Sequence, residues 1–292
     1  MNGRWHIGVI GGSGLADGID LEDAQEIAVA SPFGAPSGPV TTGRLGAVRL
    51  TFLARHGAGH RLTPSVVNYR ANIDVLKRCG VTDLVSLSAI GSLREDMAPG
   101  HMVAVNQFID RTTSRANSFF GEGLVAHVSM ADPVCARLSA RLADAAEATG
   151  ATVHRGGCYV AIEGPQFSTR AESLMYRQWG ADVIGMTAMP EARLAREAEL
   201  PYALLGMVTD YDCWRPHEQG VGAAEVFAVM KANAALARDA MRQLVAALPA
   251  ERGPSPVDCA LDGAFATAPN ARDGKLMAML DAVAGRVLRP WN

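Results

Sequence analysis

Short apolar runs rich in β-branched residues alternate along this chain with longer segments of helical spacing. This alternation predicts an α/β fold in which most of the sheet is buried on both faces. The predicted strands are HIGVI at 6–10, AVRLTFLA at 47–54, DLVSLS at 83–88, MVAVNQFI at 102–109, YVAI at 159–162, DVIGM at 182–186 and YALLGMV at 202–208.

The segments between these runs carry residues that are typical of helix ends. Thr or Asp before proline predicts a start, Thr169 with Glu172 fits a capping box, and glycine after the last apolar position predicts a stop. We therefore predict helices from Thr63 to Gly80, from Asp132 to Gly150, from Thr169 to Gly180, and over about 223–247.

The C-terminal part differs in composition from the rest of the chain. PAERGPSPVD after the last long helix has the composition of a linker. From about 273, Leu276, Met279, Leu280, Val283 and Val287 have helical spacing. We predict one α/β domain over 1–250, followed over 251–292 by a linker and a helical appendage that packs on the same domain.

Composition narrows the classes of partner and location. The 292 residues are 49% hydrophobic and carry a formal net charge of −3, so nothing points to nucleic acid or to a membrane surface. No apolar run reaches the roughly 18–20 residues of a membrane span, and the first residues do not resemble a signal peptide, so a cytoplasmic location is expected. The five cysteines form no CxxC pair, which favours free thiols over disulfides or a metal site.

Polar clusters follow five of the predicted strands. Because ligands of open α/β sheets bind beyond the carboxyl ends of strands, we expect one shared site at these exits. The clusters are GGSG at 11–14, RHG at 55–57, SAIGS at 88–92, MT at 186–187 and TDYD at 209–212.

The first cluster allows close approach of the backbone to an oxyanion, with the Ser13 hydroxyl as a further donor. It is not a dinucleotide fingerprint, because Asp17 stands where the third glycine is needed, and it lacks the Gly-Lys-Ser/Thr of a P-loop. A tight strand–helix turn is the alternative interpretation of this loop.

Other clusters supply donors that suit a phosphate or carboxylate. Arg55 offers a planar fork to two oxygens, although a salt bridge at the end of the sheet is the alternative. His56 is a further donor or a structural histidine, and Ser88, the Ala89 amide and Thr187 add neutral donors.

Asp210 and Asp212 stand two residues apart after the last core run. In an extended chain such residues face the same side about 6–7 Å apart, so both carboxylates would face one small target. A turn with a capping aspartate is the alternative.

Seven motifs in this order and spacing resemble the trimeric purine nucleoside phosphorylase family from about residue 5 to about 245. The resemblance implies a single-domain α/β fold around a central mixed, distorted sheet, a homotrimer, and phosphorolysis of 5'-methylthioadenosine to adenine and 5-methylthioribose 1-phosphate, with phosphate as co-substrate and no cofactor or metal. The motifs are IGVIGGSGL, RHG with PSVVNYRANI, AIGSLREDMAPG, QFIDRT, IEGPQFSTRAES, WGADVIGMT and VTDYDCW.

The resemblance assigns roles to the polar positions and to two apolar ones. Met186 matches the residue under the ribose and Phe167 the ring against the purine, where Ser168 and Thr209 also fall. The residues that match the family's phosphate positions are Ser13, Arg55, His56, Ser88, Ala89 and Thr187.

Base specificity follows from the acid pair. Adenine presents an amino donor beside a ring nitrogen acceptor, and two close carboxylates divide these roles because like charges raise one pKa. We expect Asp210 to be the general acid toward the ring nitrogen and Asp212 to accept the amino group. Relatives that take 6-oxopurines carry Glu in place of Ser168 and Asn in place of Asp210, so this chain favours 6-aminopurines.

The resemblance also implies an apolar pocket for the methylthio group, since a thioether cannot satisfy a buried donor. His60 matches a wall residue, and His127 matches a histidine that reaches across from the neighbouring subunit. Leu288 aligns loosely with a residue that closes this pocket. Three positions of the helix after TDYDCW complete it: Ala223, Val226 and Phe227, where the family's usual residues at the first and last are Val and Leu.

Three rival functions remain open at this point. One is a broader purine nucleoside phosphorylase that acts on adenosine, inosine or methylthioinosine. A hydrolase would release the base without phosphate, and a non-catalytic nucleoside-binding protein would keep the fold without turnover.

Overall fold

The computed structural model of the chain describes residues 3–12, 15–215 and 223–288, and within 223–232 it describes only the side chain of Val229. The strands are β1 (His6–Gly11), β2 (Glu22–Ile27), β3 (Val40–Leu45), β4 (Val48–Ala54), β5 (Asp83–Ser92), β6 (Met102–Val105), β7 (Gln107–Asp110), β8 (Val153–Arg155), β9 (Cys158–Ala161), β10 (Val183–Gly185) and β11 (Tyr202–Asp210). The helices are α1 (Tyr69–Arg78), α2 (Ala136–Glu147), α3 (Arg170–Gln178), α4 (Ala188–Glu197), α5 (Ala223–Ala247), α6 (Gly274–Met279) and α7 (Gly285–Leu288).

The strands form one mixed sheet. β4, β1, β5 and β11 run parallel side by side, and β10 joins β5 in the antiparallel direction. At the edges, β2 and β3 extend the sheet beyond β4, while β6 pairs with β11 and β8, and β7 with β9. The prediction of an α/β fold with a mixed sheet in a single domain is confirmed.

Both faces of the central strands are buried, which explains their continuous apolar runs. Along β11, Leu204 and Val208 pack on one face and Leu205 and Met207 on the other. Helices α1 and α4 cover the first face, and α2 and α5 cover the second.

Helix stops agree better with the sequence prediction than helix starts. Gly80, Gly150 and Gly180 follow their helices with φ of +84°, +84° and +80°, as glycine does after a helix. The capping box of Thr169 with Glu172 is present, and α5 has the predicted bounds.

Two predicted helix starts are wrong. Thr63-Pro64 begins only a turn, and α1 is capped instead by Asn68, whose side chain accepts a hydrogen bond from the Ala71 N–H. The helix predicted from Asp132-Pro133 begins at Ala136, because the Cys135 N–H is bound to the Tyr202 carbonyl. In both cases a tertiary contact moves the start of the helix.

Three strands were not predicted, and one predicted strand is divided. β2, β3 and β8 lie toward the edges and lack long apolar runs. The run at 102–109 is two strands, because the chain changes partner at Asn106, whose N–H bonds to the Gly157 carbonyl.

The segment predicted to be a linker is firmly held. Arg252 is buried and ion-paired with Asp83 and Asp258. Farther along, Leu280 and Val283 are fully buried in the same core cluster as α1 and α4. In the part of the chain that the structure describes, no helix combines the length and apolar character that a membrane span requires.

Candidate functional site

The carboxyl ends of the central parallel strands open into a cavity of about 690 Å³, a size typical of small-molecule sites. The predicted site residues that line it are Arg55, His56, His60, Ser88, Ala89, Phe167, Ser168, Met186, Thr187, Thr209, Asp210 and Asp212.

Strand register explains how distant parts of the chain meet here. Gly11 of β1 lies beside Ala54 of β4, so the glycine loop and Arg55 leave the sheet together. On the other side of β5, Asp210 of β11 lies beside Gly91. The glycine loop and the acid pair are therefore on different sides of β5.

Met186 and Thr187 reach the cavity by a different path from the one expected. β10 runs antiparallel to β5, with Val183 opposite Ser92 and Ile184 opposite Gly91. Continuing in this direction brings Met186 and Thr187 back along β5 toward Ala89 and Ser88. Met186 and Thr187 thus line the same cavity as residues of the other four clusters, although β10 is antiparallel to β5.

Arg55 forms a buried ion pair with a residue that the sequence prediction did not include. Its Nε donates to Glu191 Oε2 at 2.8 Å and its Nη2 to Oε1 at 3.1 Å, with side-chain exposures of 3% and 2%. Nη1 donates to the Leu87 carbonyl at 3.2 Å, while the residue still lines the cavity. The salt bridge left open by the sequence is thus present, and the charge of Arg55 is compensated within the protein.

His56 is neutral near pH 7. Burial, together with the charge of Arg55, lowers the pKa of His56 to about 4. Its Nδ1 lies 2.8 Å from the Leu62 carbonyl, which requires the proton on Nδ1 and leaves Nε2 as an acceptor. His60 stacks on it with ring centroids 4.1 Å apart.

Two neutral donors line the cavity. Ser88 and Thr187 are buried, and the Ser88 Oγ donates to the Ala89 carbonyl at 3.1 Å. A hydroxyl that bonds only its neighbour's carbonyl can turn toward a ligand at little cost. Both hydroxyls are therefore suited to donate to an oxygen of a bound molecule.

The base end combines an exposed ring with an unpaired hydroxyl. Phe167 is 44% exposed although it is a large apolar residue, as expected for a ring that awaits a ligand. Ser168 Oγ is buried and has no hydrogen-bond partner among the described residues. A buried hydroxyl without a partner is costly unless a ligand satisfies it.

The two aspartates have different surroundings. Asp210 accepts hydrogen bonds from the Thr209 hydroxyl at 2.6 Å and from the Asp212 N–H at 2.8 Å, and both favour its ionised form. Burial raises the pKa of Asp212, and the nearby charge of Asp210 adds to the effect. These contacts favour protonation of Asp212 over that of Asp210, and the role of Asp210 as the acid toward the base stays a prediction.

Several predicted residues lie elsewhere or outside the described part. His127 is exposed and absent from the cavity wall, and its N–H bonds to the Ala264 carbonyl. Leu288 packs on the core near the C-terminus rather than on the cavity. Ser13 and the side chains of Ala223, Val226 and Phe227 lie outside the described residues.

Arg115 and Glu163, which the sequence prediction missed, hold the cavity wall from behind. Arg115 Nη1 donates to the carbonyls of Met186 at 2.5 Å and Met189 at 2.7 Å, and its Nε pairs with Glu163 at 3.2 Å. Partial burial alone would raise the pKa of Glu163, but hydrogen bonds from Ser65 and from the backbone at 113–114 lower it well below its usual value. Arg115 lies within QFIDRTTSR, where a basic residue in a polar run gave no signal of burial.

Comparison with known proteins supplies independent information. The sequence profile of the family described as the Phosphorylase superfamily matches residues 6–248. An S-methyl-5'-thioadenosine phosphorylase of Cereibacter sphaeroides is 59% identical, over 97% of this chain and 98% of that protein. A crystal structure of a methylthioadenosine phosphorylase from an antarctic soil metagenomic library matches with a TM-score of 0.91 at 46% identity, covering 96% of this chain and 99% of the other. Methylthioadenosine phosphorylase from Schistosoma mansoni in complex with adenine matches with a TM-score of 0.77 at 37% identity, covering 83% and 91%.

Proposed function

This chain belongs to the phosphorylase superfamily, and we propose that it cleaves 5'-methylthioadenosine with inorganic phosphate, yielding adenine and 5-methylthioribose 1-phosphate. The observation that carries the proposal is that one cavity is lined by both an acid pair and a set of oxyanion donors. The acid pair and Ser168 lie on the β11 side of β5, and the donors lie on β5 and on its other side. The similarity to enzymes named S-methyl-5'-thioadenosine phosphorylase, at up to 59% identity over nearly the whole chain, supports the same activity.

The nucleophile is phosphate, which must be held in line with the bond that breaks. Ser88, the Ala89 amide and Thr187 supply neutral donors, with Arg55 and His56 on the same cavity wall. The resemblance adds Ser13, which lies outside the described residues. Since His56 Nε2 is an acceptor while His56 is neutral, it meets a phosphate oxygen that carries a proton. The phosphate dianion has one such P–OH group. Its charge also raises the pKa of His56, and a protonated His56 would donate from Nε2 to an unprotonated phosphate oxygen.

The sugar passes through a transition state with oxocarbenium character as phosphate approaches and the base departs. Met186 lies under the ribose and offers no competing hydrogen bond, so the sugar hydroxyls turn to phosphate and Thr187. Arg115 fixes this floor through the Met186 carbonyl.

The base must not leave as a naked anion, so a proton has to reach its ring nitrogen. The adenine amino group donates toward Asp212 and stabilises its charged form, while the lone pair of the ring nitrogen favours a protonated Asp210. Substrate binding therefore moves the proton from Asp212 to Asp210. Phe167 packs on the purine, and Ser168 gives its unpaired hydroxyl to the base.

By the resemblance, the methylthio group lies in an apolar pocket that includes His60, together with Ala223, Val226 and Phe227, whose side chains lie outside the described residues. We propose that the active enzyme is a homotrimer and that His127, which is exposed in the single chain, completes this pocket in a neighbouring copy. The reaction requires no cofactor or metal, and the enzyme acts in the cytoplasm in purine and methionine salvage.

A panel of substrates tests the activity. Release of free base from methylthioadenosine, methylthioinosine, adenosine and inosine is followed with and without phosphate. We expect adenine from methylthioadenosine to be released most efficiently and only with phosphate. Equal release of hypoxanthine from inosine would indicate a broader nucleoside phosphorylase, and release that does not depend on phosphate would indicate a hydrolase.

A further inference from the structure

The two basic residues predicted to meet phosphate, Arg55 and His56, supply little net positive charge to a phosphate dianion. Arg55 is compensated by Glu191, which also accepts hydrogen bonds from Ser86 and Tyr202. His56 is neutral near pH 7, since its pKa is about 4. The acid pair adds negative charge on the β11 side. Binding a dianion from water therefore calls for another cation on the cavity wall.

Among the described residues, two further arginines line the cavity, Arg61 and Arg238 of α5, and no predicted role includes either. Arg61 is exposed, whereas Arg238 is half-buried, so water screens the charge of Arg238 less. Arg238 lines the cavity together with Gly12 and Leu15, which stand beside the glycine-rich loop after β1. Its guanidinium lies directly against Gly18, where an added methyl group would come 2.3 Å from Nε and 2.8 Å from Cζ. Arg238 therefore belongs to the β1 side of the cavity, away from the acid pair that follows β11.

The guanidinium of Arg238 has no partner among the residues that the structure describes, neither an ion pair nor a hydrogen bond. Arg242, one turn farther along α5, contrasts with it. Arg242 pairs with Asp239 at 2.6 Å and donates to the Gly18 carbonyl. Of two arginines that touch the same segment, one is used within the protein and the other faces the cavity with its donors available.

We propose that Arg238 draws inorganic phosphate into the cavity and helps to hold it, an inference that rests on the proposed function. A guanidinium suits this ligand because its fork binds two oxygens of a phosphate at once. Its full charge is available to the anion, in contrast to that of Arg55. Gly18 has no side chain, and this leaves room for the Arg238 guanidinium.

Two substitutions of Arg238 test this role. Binding of inorganic phosphate alone is measured by titration calorimetry, and the KM values for phosphate and methylthioadenosine are measured separately. For Arg238→Ala we expect the Kd and KM for phosphate to rise about tenfold, with the KM for methylthioadenosine and kcat at saturating phosphate changed less than about twofold. Arg238→Lys keeps the charge and should recover most of the loss.

Two further variants distinguish the charge of Arg238 from a structural role in holding the segment around Gly18. Arg242→Ala removes a contact to Gly18 but no charge from the cavity, so phosphate binding should stay as in the unaltered chain. Gly18→Ala should displace the Arg238 guanidinium and raise the phosphate Kd in the same direction as Arg238→Ala. The backbone φ of Gly18 lies outside the left-handed region, so an alanine can adopt the same backbone conformation.

The outcomes distinguish this inference from the proposed function. Unchanged phosphate binding in Arg238→Ala overturns the inference, as does an equal loss in Arg242→Ala or a parallel rise in the KM of both substrates. If the unaltered chain binds phosphate through Arg238 but does not cleave methylthioadenosine, the inference holds and the proposed function fails.

Discussion

At the scale of single residues, the most informative contrast is between Asp210 and Asp212. They are two positions apart, yet one carboxylate receives two hydrogen bonds and the other is 8% exposed with a raised pKa. Asp212 also has φ of +50°, so the chain turns between them and they are not simply side by side on a strand. Burial favours the protonated form of Asp212 and the hydrogen bonds to Asp210 favour its ionised form, and such a difference between neighbouring acids suits separate donor and acceptor roles.

Asp210→Asn tests which acid protonates the leaving base. We expect kcat for methylthioadenosine to fall about a hundredfold or more, as is usual when a general acid is lost. A nucleoside whose purine is already methylated at N7 carries a positive charge and leaves without protonation. Turnover of that substrate should stay within about threefold, measured by base release at saturating phosphate.

Asp212→Asn is the matched control for this test. It should slow both nucleosides by similar factors, because it loses an acceptor for the amino group and not the proton donor. If N7 methylation rescues turnover selectively in Asp212→Asn instead, the preference of the proton for Asp212 over Asp210 persists during turnover. Asp212 is then the acid that protonates the base.

At the scale of elements, α4 and the segment at 111–119 depend on one buried carboxylate. Glu197, at the end of α4, accepts hydrogen bonds from the Ser118 hydroxyl and the Phe119 N–H, both at 2.7 Å. The same segment contributes Arg115 and the contacts that hold Glu163. Burial raises the pKa of Glu197 from 4.5 to about 7.

This raised pKa predicts a specific pH dependence of stability. Between pH 4.5 and 7 the unfolded chain releases the proton of Glu197 before the folded chain does, so stability is lost as the pH rises. Relative to Glu197→Gln, the free energy of unfolding of the unaltered chain should fall by up to about 3 kcal/mol from pH 4.5 to 7.5. Urea denaturation at both pH values measures this difference.

The comparison with Glu197→Gln removes contributions from other groups. His6 and His56 have pKa values lowered to about 4, so they contribute in the opposite direction and equally in both proteins. Glu122→Gln, at an exposed position, should give the same pH profile as the unaltered chain. A flat difference between the unaltered chain and Glu197→Gln would contradict the prediction.

The elements also mark how far the sequence alone could lead. Long apolar runs and glycine stops are local signals, so the central strands and the ends of three helices could be predicted. The starts at Thr63 and Asp132 failed because Asn68 and the Cys135 N–H are fixed by partners distant in sequence.

The candidate site has the same limits. Most of the predicted residues line the cavity because strand exits meet at one place, a rule that needs only strand positions. The pairing of Arg55 with Glu191 spans 136 positions, and Arg238 is distinguished by the lack of an ion pair or hydrogen bond in the part of the chain that the structure describes. Neither leaves a pattern in the sequence.

At the scale of the whole molecule, the C-terminal segment is part of the core. Leu280 is fully buried in the same cluster as residues of α1 and α4, and Arg78 pairs with Asp281. We expect Leu280→Ala to lower the free energy of unfolding by about 2–4 kcal/mol while unfolding stays a single transition. Chemical denaturation followed by fluorescence and by circular dichroism measures both properties.

Leu174→Ala is the control, because Leu174 is 44% exposed and its loss should change stability by no more than about 0.5 kcal/mol. If Leu280→Ala produced a separate early transition and left the main one unchanged, residues 251–292 would be an independent unit rather than part of the domain.

The antiparallel course of β10 has a consequence for how this site can change. Two residue pairs, Val183 with Ser92 and Ile184 with Gly91, join β10 to β5, and three more join it to β9. A shift of two residues in both registers would carry Met186 and Thr187 about 7 Å along β5 without moving Ser88 or Arg55. Insertions or deletions in the turn at 180–182 would therefore move the floor of the sugar site and one phosphate donor together, while the donors on β5 and after β4 stay in place. In this architecture a single short strand links the fit of the sugar to the alignment of phosphate.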